Sequence, residues 1–236
     1  MISIHQETRL GRFAAGALLC LLAGCATPNY HDPARLGPFF TPTNHEGVAN
    51  LAVDLRRVMF LPVSGASVTT PEMVAALNPV FAAALQKENR FEVITLTREE
   101  FRRKFGVEEI ASSAALPRDF MTVLRRDYAV DAVLFVDLTS FSAYRPLAIG
   151  VRAKLATVDE ARLLWNFDTV FSAADATVAN SARRHLLKQD RSAAPADLSP
   201  AVLQSPTRFG GYVAAATFAT LPPVYPSAVK NVPVSR

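Results

Sequence analysis

The chain has 236 residues, of which half are hydrophobic, and it carries a formal net charge of +4. This length and composition predict one globular domain with a hydrophobic core, flanked by tails. The basic residues form pairs and triplets at the ends of predicted elements, which is typical of solvated surfaces rather than of a nucleic-acid-binding face. Both cysteines lie within the first 25 residues, so the sequence after them excludes disulfides, thiolate nucleophiles and cysteine metal sites.

The first 24 residues have the features of a bacterial export signal. Two arginines, Arg9 and Arg12, precede an apolar run over residues 13–23. This run has about half of the ~20 residues that a membrane-spanning helix needs, which favours the hydrophobic region of a signal peptide. We therefore predict that residues 1–24 are a signal peptide.

The sequence Leu22-Ala23-Gly24-Cys25 that ends this segment resembles the lipobox of bacterial lipoproteins. The resemblance implies that Cys25 receives a diacylglyceryl group and becomes the first residue of a mature chain anchored through its acyl chains. In the sorting pattern of such proteins an aspartate after the cysteine retains them in the inner membrane, so Ala26 implies the outer membrane, facing the periplasm. Two alternatives remain open: a plain secretory signal cut after Ala26, and an apolar helix with an incidental cysteine.

Residues 25–50 are predicted to form a flexible tether. Neither a helical nor a strand period persists there, and four prolines interrupt the segment, namely Pro28, Pro33, Pro38 and Pro42. About 25 flexible residues have a root-mean-square reach of ~25–30 Å, which would let a domain stand off the membrane. A single domain is predicted over residues 51–221, with a C-terminal tail over residues 222–236.

The first half of the predicted domain alternates strands and helices. Apolar runs over residues 57–63 and 91–96 predict two buried strands. Between them, Thr70 followed by a proline is typical of a helix start. Pro79 inside the following apolar pattern leaves two interpretations: a helix that kinks there, or a helix that begins with Asn78 as its cap.

After the second strand, Thr97 and Glu100 have the spacing of a capping box, which predicts a helix there. A further helix is predicted behind Pro117. Residues 131–141 are rich in β-branched and aromatic side chains, which predicts a strand buried on both faces.

Two runs of alternating polarity then predict an antiparallel hairpin. In residues 149–156, Arg152 and Lys154 fall on the wetter side. The second run covers residues 163–168. Its apolar side holds Leu163, Trp165 and Phe167.

The order of strand, helix, strand, helices, three strands and two helices predicts an α/β fold. A helix between the first two strands allows parallel pairing, and the hairpin adds antiparallel strands. We predict a mixed sheet of about five strands with helices packed on it. The last two helices are predicted from Asp175 to about Lys188 and from Ser205 to the prolines at Pro222.

Four segments carry a resemblance to known proteins. They are a strand with a hydrophobic-proline step at Val58–Val63, the strand Phe91–Ile94, the approach Tyr128–Asp131 to the next strand, and Leu164-Trp165. These segments are similar to the family that contains the curli-secretion lipoprotein CsgG, the N-terminal domain of TolB and the penicillin-binding-protein activator LpoB. The resemblance implies a domain of that fold on a lipoprotein. Because long alternating insertions for membrane-spanning hairpins are missing from the sequence, it implies a periplasmic adaptor rather than a pore.

The sequence contains no recognisable catalytic grouping. No two histidines have a metal-ligand spacing such as i, i+4, and no Gly-x-Ser-x-Gly nucleophile elbow occurs. Asp131 and Asp137 would share one face of a strand but lie about 20 Å apart, too far for a carboxylate pair. We therefore predict that the protein is not an enzyme and holds neither a metal nor a cofactor.

The predicted hairpin, around residues 147–170, and the last helix are the candidate partner surfaces. The aromatic side chains of the hairpin, including Trp165, are expected to belong to the core, and if exposed they would join Arg152 and Lys154 in a protein interface. Together with the anchor, this predicts a lipid-anchored periplasmic scaffold, adaptor or regulator of an envelope assembly, in secretion, a surface structure or cell-wall synthesis, acting by protein binding or self-association. The alternatives are an auxiliary lipoprotein of an envelope transporter and a small-ligand-binding lipoprotein with a pocket lined by these aromatics.

Overall fold

The computed structural model describes residues 33–189 and 199–224. The elements in chain order are α1 (Pro33–Leu36), β1 (His45–Gly47), β2 (Arg57–Phe60), α2 (Pro71–Lys87), β3 (Glu92–Thr95), α3 (Arg98–Phe105), α4 (Phe120–Tyr128), β4 (Ala132–Ser142), β5 (Ala148–Thr157), β6 (Leu163–Ser172), α5 (Ala176–Gln189), a 3₁₀ turn (Ser199–Leu203) and α6 (Pro206–Phe218).

The strands form a six-stranded sheet of order β1-β6-β5-β4-β2-β3, in which β2 is parallel to β3 and β4 and the other pairs are antiparallel. The predicted α/β class with a mixed sheet is confirmed, with six strands where about five were predicted.

Helix α2 links the parallel strands β2 and β3, as a crossover between parallel strands requires. Its cap is the predicted one, since the Thr70 hydroxyl accepts a hydrogen bond from the backbone N–H of Met73. The helix is a single element that contains Pro79. Asn78 does not act as a cap, because its side-chain oxygen accepts the backbone N–H of Val63 at 2.9 Å. The structure therefore excludes a second start at Asn78.

Helix α3 begins with the predicted capping box. The Thr97 hydroxyl accepts the Glu100 N–H, and the Glu100 carboxylate accepts the Thr97 N–H at 2.9 Å. The helix ends at Phe105 and is capped by Gly106, whose φ of 79° lies in the left-handed region that glycine adopts without strain. Helix α4 starts three residues later than the predicted Pro117, at Phe120.

The β5–β6 hairpin has the predicted alternation, with one shift of phase. Leu155 lies opposite Trp165, but the next residue, Ala156, lies opposite Leu163. This irregularity turns Leu164 toward the core beside Trp165 and leaves Leu163 46% exposed. The prediction that Leu163 belongs to the apolar side is wrong, because a bulge reverses the alternation that a sequence pattern assumes.

The sheet separates two hydrophobic cores. The larger one lies between the sheet and helices α2, α5 and α6, and its largest buried side chains include Phe60, Phe81, Trp165, Phe167, Phe171, Phe209 and Phe218. The smaller core includes Met59 and Val133 of the central strands with Phe101 of α3 and Phe120 of α4. Helices α3 and α4 thus cover the parallel strands on one side of the sheet, and the side chains of the β5–β6 hairpin on the same side reach the solvent.

The predicted tether differs from the structure over residues 33–50. Strand β1 pairs with Trp165–Phe167 of β6 and forms one edge of the sheet. The backbone N–H of Phe40 donates to the Ser181 hydroxyl at 2.8 Å, and the Phe40 ring meets Phe171 edge-on at 5.5 Å. The domain therefore begins before residue 51. Only residues 25–32 of the predicted tether lie outside the described part of the chain.

The predicted C-terminal tail also begins later than residue 222. The carbonyl oxygen of Pro222 accepts a hydrogen bond from Arg90, and that of Pro223 accepts the backbone N–H of Leu51 at 2.8 Å. Both prolines therefore belong to the domain. Residues 225–236 lie outside the described ranges.

The predicted anchor, Leu22–Cys25, also lies outside the described residues. None of the helices in the described part of the chain is long and apolar enough to cross a bilayer. The lipid anchor on Cys25 therefore stays a prediction.

Candidate functional site

One side of the β5–β6 hairpin presents polar side chains around an exposed valine. We call it the outer hairpin face and define it by Asp137, Arg152, Lys154, Asn166, Asp168 and Val170. The register of the strands brings these residues together, because side chains at paired positions of neighbouring strands lie on one face of a sheet. The predicted placement of Arg152 and Lys154 on the same wetter side is confirmed.

Arg152 is the centre of a cross-strand row. It lies opposite Asp137 of β4 and Asp168 of β6. Its Nε donates to the Asp168 carboxylate at 2.8 Å, and both side chains are partly exposed. A pair with this exposure contributes about 0–1 kcal/mol to stability, so the consequence of the contact is a fixed position for both charges.

Lys154 and Asp137 connect this face to the loop between α3 and α4. The ammonium group of Lys154 donates to the carbonyl oxygen of Ser112 at 3.2 Å. The buried carboxylate of Asp137 accepts the backbone N–H of Ser112 at 3.0 Å and its hydroxyl at 2.6 Å. Ser112 therefore fixes the loop at the rim of the face.

Val170 is the apolar part of this face. It lies opposite Gly150, which has no side chain to cover it, and it is 56% exposed. Gly150 is required there, because a Cβ atom at this position would come within 2.6 Å of the Ser140 hydroxyl, next to the irregularity in β4. Val170 is therefore an exposed apolar side chain on a face that is otherwise polar.

Trp165 does not contribute to this surface. Its side chain is 1% exposed and lies in the larger core, stacked on Phe167 with ring centroids 6.0 Å apart. The expectation that the hairpin aromatics belong to the core is therefore the correct one for Trp165. Its alternative role in a partner surface is excluded in this conformation because the residue lies on the opposite side of the sheet from Arg152.

A second polar cluster fills the carboxyl end of strand β2. The Glu109 carboxylate accepts the backbone N–H groups of Gly65 at 3.0 Å and Ala66 at 3.2 Å, and it pairs with Arg98 at 2.6 Å. Burial alone would raise the pKa of Glu109, but these hydrogen bonds outweigh burial and lower it. Ligands of open α/β sheets often bind outside the carboxyl ends of the strands. In this protein the carboxylate of Glu109 occupies the position at the carboxyl end of β2.

The sequence missed Asp137 and Val170 as members of the face. The alternation identifies Arg152 and Lys154, but the sequence does not show which residues of β4 and β6 lie opposite them. Within residues 33–189 and 199–224, no group of three or more His, Cys, Asp or Glu side chains is arranged to hold a metal ion. The aromatics that a ligand pocket would need, Trp165 and Phe171, are buried core residues.

Comparisons by sequence found no match: no family model and no curated protein matches this chain. Solved structures do match. The lipoprotein GNA1162 from Neisseria meningitidis is 16% identical, with a TM-score of 0.41, and the match covers 57% of this chain and 99% of that one. A PelC dodecamer from Paraburkholderia phytofirmans is 14% identical, with a TM-score of 0.39, and covers 72% and 95%.

The C-terminal domain of LpoB from Salmonella enterica is also similar, at 12% identity and a TM-score of 0.33, with 53% of this chain and 85% of that one covered. LpoB is one of the proteins to which the sequence segments showed a resemblance. At these identities and TM-scores the likeness gives no information about the partner or the assembly of this protein.

Proposed function

We propose that this protein is a lipoprotein of the bacterial envelope, anchored through Cys25 in the outer membrane on its periplasmic side. In this proposal it acts as a scaffold or regulator by binding another envelope protein with the outer hairpin face. It does not act by turnover. The observation that carries the proposal is the exposed Val170 within the fixed charges of Arg152 and Asp168.

The geometry of the face favours protein binding because its charged groups are ordered before a partner arrives. Arg152 is held by Asp168, and Lys154 is held by the loop at Ser112. Side chains that are already ordered lose less conformational entropy on association. Charged groups at a rim also steer encounter and select partners of complementary charge.

The anchor would make a modest affinity sufficient. Since the described part of the domain begins at Pro33, seven residues separate it from Cys25, and the eight residue steps between these two positions span at most about 26–29 Å. A domain held this close to a membrane meets partners in the same envelope at a high effective concentration. The corrected domain boundary therefore gives a shorter tether than the sequence predicted.

The non-enzymatic part of the proposal is supported by the contacts of two carboxylates, the partly buried Glu109 and the buried Asp137. Glu109 accepts the backbone N–H groups of Gly65 and Ala66, and Asp137 accepts the N–H and hydroxyl of Ser112. Both groups fix loops of the fold. The same contacts leave the ends of the parallel strands closed by protein atoms.

The anchor is tested by changing Cys25→Ser. The thioether to the diacylglyceryl group needs the cysteine sulfur, so this variant should lose its acyl mass and leave the membrane fraction. Cys20→Ser is the matched control, since Cys20 lies within the apolar segment and should be dispensable. Mass spectrometry of the mature N-terminus and envelope fractionation read out both variants. Full membrane association of Cys25→Ser, with no acyl group on the unchanged protein, would contradict the anchor.

The binding face is tested by neutralising Arg152 and Lys154 together, as Arg152→Gln and Lys154→Gln. Neutral glutamine is preferable to glutamate, because a new carboxylate at position 152 would face Asp137 and Asp168 across the strands. We expect about a tenfold loss of the crosslinked product in intact envelopes, since rim charges act on association. The fold should persist, because the Arg152 ion pair is partly exposed.

Arg102→Gln and Arg103→Gln form the matched control for this double variant. Both arginines are exposed on α3, away from the hairpin, and their loss removes the same amount of charge. The control should retain the crosslinked product. Equal losses in the two double variants would show that the net charge, and not the outer hairpin face, determines binding.

A further inference from the structure

Helices α5 and α6 form a surface with an unusual charge balance. Neither helix contains an aspartate or a glutamate. The C-terminal half of α5 carries Arg183, Arg184, His185 and Lys188. Arg184 and Lys188 are exposed and lie one turn apart on the same side of the helix.

These residues share a shallow groove between the two helices. Arg184, His185 and Lys188 line it together with Phe39 and Tyr212. The Arg184 guanidinium lies 4.2 Å from the centre of the Phe39 ring, a cation–π contact that fixes its position. The basic groups are therefore presented side by side at one surface.

Lys87 extends this surface from the last turn of α2. Burial lowers the pKa of His185, and the positive charges of Lys87 and Lys188 lower it further. Burial raises the pKa of the neighbouring Tyr212, and the negative charge of Asp175 contributes to this rise. Asp175 precedes the first turn of α5 and accepts hydrogen bonds from Thr177. We call Lys87, Arg184, His185 and Lys188 the basic helical face.

The other basic segment of the domain, on α3 and α4, is different, because two of its charges are paired within the protein and acidic residues stand among the others. Lys104 of α3 and Arg126 of α4 both form ion pairs with Asp127. Glu99 and Glu100 stand in the first turn of α3. The positive charges of α5 are therefore not interleaved with acidic residues, and Glu88, which follows Lys87, is paired with Arg90.

The start of the domain lies on the same helix. The amide of Asn180 donates to the Pro38 carbonyl at 3.2 Å, and Phe40 donates to Ser181, so the segment that follows α1 packs on α5. A chain that comes from Cys25 thus enters the domain beside the basic helical face. The seven residues between Cys25 and Pro33 limit the distance between these two positions to about 26–29 Å.

We infer that the basic helical face lies on the anionic phospholipid headgroups of the membrane in which Cys25 is anchored. This inference rests on the proposed anchor and adds an orientation to it. Helices α5 and α6 cover one side of the sheet, and the outer hairpin face lies on the other. Contact of α5 with the headgroups therefore turns Arg152, Lys154 and Val170 away from the membrane, toward partners in the periplasm.

The test uses the mature chain with Cys25→Ser, so that no acyl chain contributes to binding. Vesicles of phosphatidylglycerol and phosphatidylcholine in equal parts are compared with vesicles of phosphatidylcholine alone. Each Lys or Arg at an anionic surface strengthens binding about fivefold, so Arg184→Gln with Lys188→Gln should weaken binding to the mixed vesicles about 30-fold. Added salt should weaken the binding of the unchanged face.

The matched control is again Arg102→Gln with Arg103→Gln, which should bind the mixed vesicles like the unchanged protein. Thermal melting should show both double variants to be folded, as expected for exposed side chains. Equal binding to the two kinds of vesicle, or equal losses in the two double variants, would overturn the inference. Loss of a crosslinked envelope protein without loss of vesicle binding would make the face a protein interface and overturn it too. Because the acyl group is absent, failure here leaves the anchor and the hairpin proposal standing.

Discussion

Replacing Trp165 by alanine should lower the free energy of unfolding by about 3–5 kcal/mol, the range for removing a buried tryptophan. The side chain is 1% exposed and packs against Phe167 in the larger core. Helices and sheet around it cannot collapse fully into the space, so the variant loses both the burial and the contacts of the ring. Urea unfolding of the purified mature chain measures the change.

Leu163→Ala is the control on the same strand. Leu163 is 46% exposed on the far side of the bulge, so its loss should change the free energy of unfolding by about 0.5 kcal/mol. If Trp165→Ala unfolded like the unchanged protein but lost an envelope partner, Trp165 would be a surface residue. That result would contradict the placement of the two faces of the hairpin.

A mature chain shortened to begin at Leu51 should be less stable than one that begins at Pro33, by about 2–4 kcal/mol. The missing residues supply a partly buried phenylalanine and several main-chain hydrogen bonds, and the figure allows for the entropy of ordering them. Without Phe40 the ring of Phe171 would lose its edge-on partner. Without β1 the edge of β6 would be unpaired.

The chain that begins at Pro33 should unfold with the same midpoint as the chain that begins at residue 25. Cooperative melting followed by circular dichroism compares the three lengths. Equal stability of the chains from Leu51 and Pro33 would restore the sequence-based boundary and make β1 an accessory to the sheet. A loss already at Pro33 would show that residues 25–32 contribute to the domain.

The structure shows why the sequence predicted most strands but missed β1. Strands with a buried side alternate in polarity, as β5 does, and the alternation is visible in the sequence. Strand β1 has three residues, His45, Glu46 and Gly47, and all are exposed. Its place in the sheet depends on main-chain hydrogen bonds to β6, for which side-chain polarity gives no signal.

The sequence likewise predicted some residues of the candidate site and missed others. Alternation put Arg152 and Lys154 on one side of the hairpin and Trp165 on the other. It did not tell how far α3 and α4 extend over the polar side of the sheet, because that depends on how these helices pack against the central strands. Asp137 joins the face because the pairing of β4 with β5 places it opposite Arg152, and it holds Ser112 of a loop that lies far from it in the chain. Such long-range contacts are not encoded in a local pattern.

The outer hairpin face is tested most directly by photocrosslinking in intact envelopes. A photoreactive amino acid replaces Val170, which is 56% exposed on that face, and as a matched control Val53, which is 62% exposed elsewhere on the domain. We expect a discrete adduct with an envelope protein, or with a second copy of this chain, at position 170 and none at position 53. Adducts of equal yield at both positions, or none at position 170 in a folded and membrane-anchored protein, would contradict the account.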